Sequence, residues 1–212
     1  MAFIVTEANM TKNKIIAICV LAVIFVVTAT LAFTGVITNF ENSLSEIINP
    51  NREISEFFYY FTVVGDTLGC VIFLVVLLIL PFTTKKVGIP VASTAIVSAI
   101  TIKVIKTLVK RARPAIKLLE VGGYSFPSGH AGNNAAIYIG IMLCLLKLCK
   151  TKLEKVLVCF VCIFYVAVIG VSRVYFNVHY FSDVVCGWCL GSIIAIVFTE
   201  LFKVREKENV GN

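Results

Sequence analysis

Charged residues are scarce. Asp, Glu, Lys and Arg make up 15% of the 212 residues, where soluble domains carry about 25%. Apolar residues reach 59% and the mean hydropathy is +0.96. These values exclude an ordinary soluble domain. They also exclude a disordered chain, which needs low hydrophobicity. The formal charge is +7, but too little polar surface is left for a soluble nucleic-acid-binding face, so no nucleic-acid partner is expected. Strand-like alternation is missing, which excludes a membrane barrel built from dyad-repeat segments. No repeat, low-complexity tract or linker divides the chain, so residues 1–212 read as one domain. Histidine occurs only twice, at His130 and His179.

What the chain does have is six long apolar runs, roughly residues 15–38, 57–82, 89–109, 131–148, 153–171 and 181–202. A helix crossing a bilayer needs about 20 predominantly apolar residues. The runs therefore predict an all-α integral membrane protein with six transmembrane helices, the fourth being the shortest. Pro90 falls near the start of the third run, where a helix tolerates it. The first run is too long for a signal-peptide core and no A-x-A site closes it, so it reads as a retained helix. Lys12, Lys14, Lys85, Lys86, Lys147, Lys150, Lys152, Lys155, Lys203, Arg205 and Lys207 all fall at one set of run ends. The loop 39–56 at the opposite side has Arg52 but also Glu41, Glu46, Glu53 and Glu56. The positive-inside rule then places both termini in the cytoplasm. That outer loop is expected to hold a short interfacial helix, broken near Asn49 and Pro50.

All eight cysteines lie within or at the ends of the apolar runs. Cys159/Cys162 and Cys186/Cys189 have C-x-x-C spacing, yet they lack the polar, histidine-bearing context of a metal or redox site. Packing as small hydrophobes is the expected role.

Three polar clusters break the apolar pattern, all on the outer side. The first is basic, from Lys103 to Arg113 with Lys117, and it contradicts the topology rule. Lys106 and Arg113 are seven apart, nearly two helical turns, which puts them on one face if the helix continues to Pro114. Charges in spans are costly and biased toward function, and Arg suits a phosphate through two parallel hydrogen bonds. The second cluster is Tyr124-Ser125-Phe126-Pro127-Ser128-Gly129-His130. It sets backbone N–H groups at a helix start, which favours an anion, and adds a group that titrates near neutrality. The third is Ser172-Arg173, then His179, then Asp183. His179 and Asp183 are i and i+4, so the carboxylate can accept the imidazole Nδ1–H and leave Nε2 as a nucleophile.

In this order the three clusters read Lys106-x6-Arg113-Pro114, Pro127-Ser128-Gly129-His130 and Ser172-Arg173-x5-His179-x3-Asp183. They closely resemble the signature of the type-2 phosphatidic acid phosphatase superfamily of membrane lipid phosphatases. The motifs span 106–183, and the six-run layout extends the likeness to nearly the whole chain. The resemblance implies that His179 attacks phosphorus and forms a phosphohistidine, that Asp183 orients it, and that His130 protonates the leaving oxygen and then activates water. It implies that Lys106, Arg113 and Arg173 bind the phosphoryl oxygens with help from Ser128 and the Gly129 N–H. It implies no cofactor and no metal, the cations standing where a metal sits elsewhere. Lys110 is a candidate auxiliary contact outside the signature. Lys103 and Asp66, at similar depth, are expected to pair.

The expected activity is therefore hydrolysis of a terminal phosphate from a lipid phosphate or pyrophosphate. The substrate could be of the phosphatidic acid, phosphatidylglycerophosphate or undecaprenyl pyrophosphate type. The alternative is a non-catalytic lipid-phosphate binder or transporter, which would have no evident use for His179, Asp183 and His130 together. The compact build resembles small bacterial members. That implies a multi-pass protein of a bacterial plasma membrane, with the active site facing outward and the bilayer supplying substrate. The oligomeric state is left open.

Overall fold

The computed structural model describes residues 10–80 and 84–210, without the side chains of 84, 85 and 203–210. Every regular element among them is helical: α1 (Lys12–Phe33), α2 (Thr38–Ile48), α3 (Glu56–Val64), α4 (Thr67–Ile79), α5 (Ile89–Val109), α6 (Gly129–Leu145), α7 (Lys152–Tyr175) and α8 (Phe181–Val210). A π-helical turn, Thr84–Gly88, leads into α5. The end of the second run, 81–82, and the side chains of Lys85, Lys203, Arg205 and Lys207 lie outside the described residues. Four helices are long and apolar enough to cross a membrane, and a fifth crossing results if α3 and α4 form one bent span. The fourth apolar run forms the 17-residue α6.

The second run is not one straight helix. It breaks at Gly65-Asp66, and α3 and α4 meet at 56°. Asp66 takes an extended backbone at the start of α4, as an N-cap residue does. The short helix expected in the outer loop is α2, which ends at Asn49. Its Asn49 side chain accepts from the Glu53 N–H and donates to the Glu53 carbonyl. A capping box starts α7: the Thr151 hydroxyl accepts from the Glu154 N–H, and the Glu154 carboxylate accepts from the Thr151 N–H.

α6 lies at the centre, packed on α5, α7 and α8. Val91, Ala95, Ile137, Ile141, Cys144 and Cys162 form one buried cluster there. No disulfide joins any of the eight cysteines, and Cys144, Cys162, Cys186 and Cys189 are buried. The outward faces stay apolar, as at Val23, Val26, Leu68, Ile79 and Phe160. Contact between α6 and α8 is closest at glycines. A Cβ on Gly191 would lie 2.1 Å from the Gly132 carbonyl oxygen, and one on Gly187 would lie 2.8 Å from the Ser128 carbonyl oxygen. Gly187 and Gly191 are thus a small-x3-small pair that lets two backbones touch. Gly191→Ala should destabilise the protein by about 1–3 kcal/mol, the usual cost of overpacking. Gly122→Ala, where a Cβ meets nothing within 4 Å, should be neutral. Thermal melts in detergent check this, and equal melting of the two variants would contradict the close approach.

Candidate active site

The site lies where the C-terminal ends of α5 and α7 meet the N-terminal ends of α6 and α8. α5 stops at Val109, with Lys110 in the left-handed region at φ 53°. The helix therefore ends before Pro114, and the expected Lys106–Arg113 helical stripe does not exist. Pro114 steers only Arg113 away from α geometry; the left-handed Lys110 already takes 111–113 out of the helix. This release turns Arg111 and Arg113 inward. Lys110 is exposed and makes no described side-chain contact with the site.

His179 precedes α8 rather than lying on it. The five-residue turn 176–180 carries Asn177 at φ 51°. It is fastened by the Val178 and His179 N–H groups, which both donate to the Arg173 carbonyl. Asp183, in the first turn of α8, accepts from the Tyr180 N–H at 3.0 Å. Two further bonds lock the motifs together: the Ser128 N–H donates to the Asp183 carbonyl at 2.9 Å, and the Ser125 N–H to the Arg111 carbonyl at 2.8 Å.

The imidazole of His179 is 3% exposed. Its Nδ1 lies 3.5 Å from Asp183 Oδ2 and 3.3 Å from Ser125 Oγ. Ser125 Oγ donates to the same carboxylate oxygen at 2.5 Å. On the far side of the ring, Arg113 Nη1 lies 3.0 Å from Nε2. A guanidinium only donates, so Nε2 accepts and the proton sits on Nδ1. Burial pushes the His179 pKa down to about 3, against the pull of Asp183. The ring is then neutral, and its Nε2 lone pair is engaged by Arg113. Burial also lowers the Arg113 pKa. Arg113 otherwise binds the carbonyls of Gly122, Gly123 and Val178 at 2.7–3.0 Å.

Lys106 donates to the carbonyls of Tyr124 and Ser125 at 2.6 and 3.0 Å, and its Cε passes over Gly129. Arg173 is 1% exposed. It makes one long bond, 3.4 Å, to Thr62 Oγ1, and its Nε has no partner. Among the described residues no carboxylate lies within ion-pair distance of it. A buried, half-satisfied guanidinium calls for an acceptor. Lys106, Arg113, Arg173, His130 and His179 are all close enough to interact electrostatically. Ser128 caps α6, its hydroxyl accepting from the Ala131 N–H at 3.4 Å. Asp66 lies 3.4 Å from His130 Nε2. The expected Asp66–Lys103 pair is not formed, because Lys103 is exposed on α5 and the α3–α4 break turns Asp66 toward α6.

Sequence reasoning gave no role to Ser125, Arg111, Glu41 or Ser182, yet they form the support of Asp183. Arg111 Nη1 binds Asp183 Oδ1 at 2.7 Å and Ser182 Oγ at 2.8 Å, and its Nη2 binds Glu41 Oε2 at 3.0 Å. Glu41, on α2 and 3% exposed, accepts from the Ser182 N–H at 2.8 Å and from its hydroxyl at 2.5 Å. The Arg111 guanidinium also lies 4.2 Å from the Tyr180 ring centroid, a cation–π contact. Burial opposes its charge, but Asp183 and Glu41 outweigh that and hold its pKa above the ordinary value. The basic character of the cluster was legible. Its division into an Asp183 clamp and an anion-facing arginine was not. No group of three His, Cys, Asp or Glu side chains among the described residues is arranged to hold a metal ion.

An all-helical bundle with an apolar exterior and a cationic, histidine-bearing end has the architecture of a membrane protein that handles a phosphate. Residues 87–207, more than half of the chain, match the PAP2 superfamily, and the chain belongs to that family. It is 36% identical over 94 residues to phosphatidylglycerophosphatase B of Bacillus subtilis (strain 168). That match covers 43% of this chain and about half, 46%, of the relative. The crystal structure of a transmembrane PAP2 type phosphatidylglycerolphosphate phosphatase from Bacillus subtilis superposes with a TM-score of 0.77, over 90% of this chain and 96% of that one. At 24% identity this likeness establishes the fold. Aquifex aeolicus LpxE follows with a TM-score of 0.58 and 26% identity, over 74% of this chain and 92% of that one.

Proposed function

We propose that the chain is a membrane lipid phosphatase that removes a terminal phosphate through a phosphohistidine intermediate. The observation that carries this reading is His179 Nε2 held 3.0 Å from Arg113, in a cluster where the buried Arg173 makes one long hydrogen bond and its Nε has no partner. As Arg113 turns from Nε2 to the phosphoryl oxygens, Nε2 attacks phosphorus, the phosphorus–oxygen bond to the lipid breaks, and the leaving oxygen takes a proton from His130. In the second step His130 accepts a proton from water, the hydroxide attacks phosphorus, the phosphorus–nitrogen bond breaks and phosphate leaves. Asp183 stabilises the positive imidazole of the intermediate. Lys106, Arg113 and Arg173, with the Gly129 N–H, neutralise the charge that spreads over the phosphoryl oxygens, a task a metal performs elsewhere. Ser128 contributes by capping α6 and tying it to Asp183.

A cavity of about 240 Å³ between α4, α5 and α6 reaches His130 and Asn133 at one end and is flanked by Val71, Leu74 and Ile96. The leaving oxygen must meet His130, and the lipid chain hangs from that oxygen. This groove therefore receives the chain from the bilayer. Counting α6, shielded at the centre, as a sixth crossing leaves both termini on one side; the lysine-rich run ends support reading that side as the cytoplasm, with the site at the outer face of a bacterial plasma membrane. Residues 1–212 act as one unit around the motif region 106–183. The similarity to phosphatidylglycerophosphatase B makes phosphatidylglycerophosphate the first substrate to test, beside phosphatidic acid and undecaprenyl pyrophosphate. Purified protein in detergent with EDTA is expected to release phosphate from at least one of the three. Release no higher than the enzyme-free blank on all three would overturn the reading.

A further inference from the structure

Asp66 interrupts an apolar run, a placement that is expensive in a membrane and biased toward function. Capping does not account for it: Asp66 begins α4, but its side chain makes no bond to the N–H groups of that helix. The break in which it sits is built for close contact. A Cβ on Gly65 would lie 2.4 Å from Ile169 Cδ1, so any larger residue there would force Ile169 to shift. The buried Asn134 amide donates to the Gly65 carbonyl at 2.7 Å and to the His130 carbonyl at 2.9 Å. One side chain thus fixes the break relative to the helix turn that bears His130. The outcome is the 3.4 Å approach of Asp66 Oδ1 to His130 Nε2.

We propose that Asp66 is the positioning partner of His130, forming a second carboxylate–imidazole pair that complements Asp183–His179. This rests on the reading of His130 as the acid/base of a phosphatase. The charges around His130 give the reason. It faces Lys106 from α5, Arg113 from the loop after α5, Arg173 from α7 and His179 from the turn before α8. An acid must hold its proton until the leaving oxygen needs it, and three cations oppose a charged imidazole. The substrate phosphoryl offers negative charge, but the same cations neutralise it. Asp66 is the carboxylate within ion-pair distance of His130 among the described residues. The proton passes from the His130 imidazolium to the leaving oxygen and returns to His130 from water, while Asp66 holds the ring in place.

The test compares kcat/KM, which reports the first phosphoryl transfer, on two substrates. A lipid phosphate expels an alkoxide that needs the proton. p-Nitrophenyl phosphate expels a stable phenolate that does not. Asp66→Asn should lower kcat/KM about 10- to 100-fold on the lipid and about threefold or less on p-nitrophenyl phosphate, part of the range that general acids contribute. Asp66→Glu should recover most of the loss. In a His130→Ala background Asp66→Asn should cost nothing more, because the two act as a unit. Equal losses on both substrates, or a further loss in that background, would overturn the assignment of Asp66 alone. A His179→Ala variant as active as wild type would instead overturn the phosphatase reading beneath it.

Discussion

Replacing His179 with alanine is expected to lower phosphate release by about 10⁴-fold or more, the loss seen when a covalent nucleophile is removed. The variant should still fold. Asp183 keeps Arg111, Ser125 and the Tyr180 N–H as partners, so no buried carboxylate is orphaned. Arg113 keeps the carbonyls of Gly122, Gly123 and Val178. The turn itself is held by backbone bonds to Arg173 and by the buried Phe176 and Val178, none of which involves the imidazole. The melting temperature should therefore change little while turnover vanishes. Wild-type protein quenched in alkali during turnover should retain phosphate in an acid-labile linkage, as expected of a phosphoramidate. The alanine variant should retain none. A variant with near-wild-type turnover, or an equally phosphorylated one, would remove His179 from the role of nucleophile.

The sequence exposes features that depend on local order and conceals those that depend on distant chain. Apolar runs of about 20 residues mark helices without any tertiary knowledge, and α1, α5, α7 and α8 lie close to their runs. The break at Gly65-Asp66 was hidden because a run of hydropathy has no angle. The break is held from other helices, by the close approach of Gly65 to Ile169 and by the Asn134 bond to the Gly65 carbonyl. The Lys106–Arg113 stripe failed because α5 ends at Val109 on a left-handed Lys110, an end that Pro114, which restricts only the residue before it, does not mark. His179 and Asp183 do meet, though by a capping turn rather than on a helix face. Glu41 and Arg111 were the least legible, because a pair 70 residues apart leaves no periodic trace. The one signal available was an acid in a loop expected on the same side as a basic cluster that breaks the topology rule. The glycines of α8 carried a readable spacing, Gly187-x3-Gly191, whose meaning appears only with α6 beside it.

Arg111→Gln is expected to have the second largest effect, on both stability and turnover. Arg111 stands between two buried carboxylates, Glu41 and Asp183. Without the guanidinium, both acids remain in low dielectric with hydroxyls and backbone N–H groups as their nearest support. Breaking a buried pair from one side typically costs about 3–5 kcal/mol. The Arg111 side chain is partly exposed, so water softens the penalty and about 3 kcal/mol is the expected loss. Turnover should fall at least about 100-fold, because Asp183 loses the cation that fixes its Oδ1 while its Oδ2 serves His179 and Ser125. Lysine is a poor substitute, since a single ammonium cannot hold two carboxylates and Ser182 in one planar fork. The double variant Arg111→Gln, Glu41→Gln separates the two effects. Removing the Glu41 charge relieves one stranded carboxylate and should restore part of the melting temperature, while Asp183 still lacks its cation and turnover stays low. Parallel melts and phosphate-release assays on both variants decide it. If stability does not recover in the double variant, Arg111 is not balancing Glu41. If turnover returns with stability, the network braces the fold and leaves the electrostatics of Asp183 to other groups.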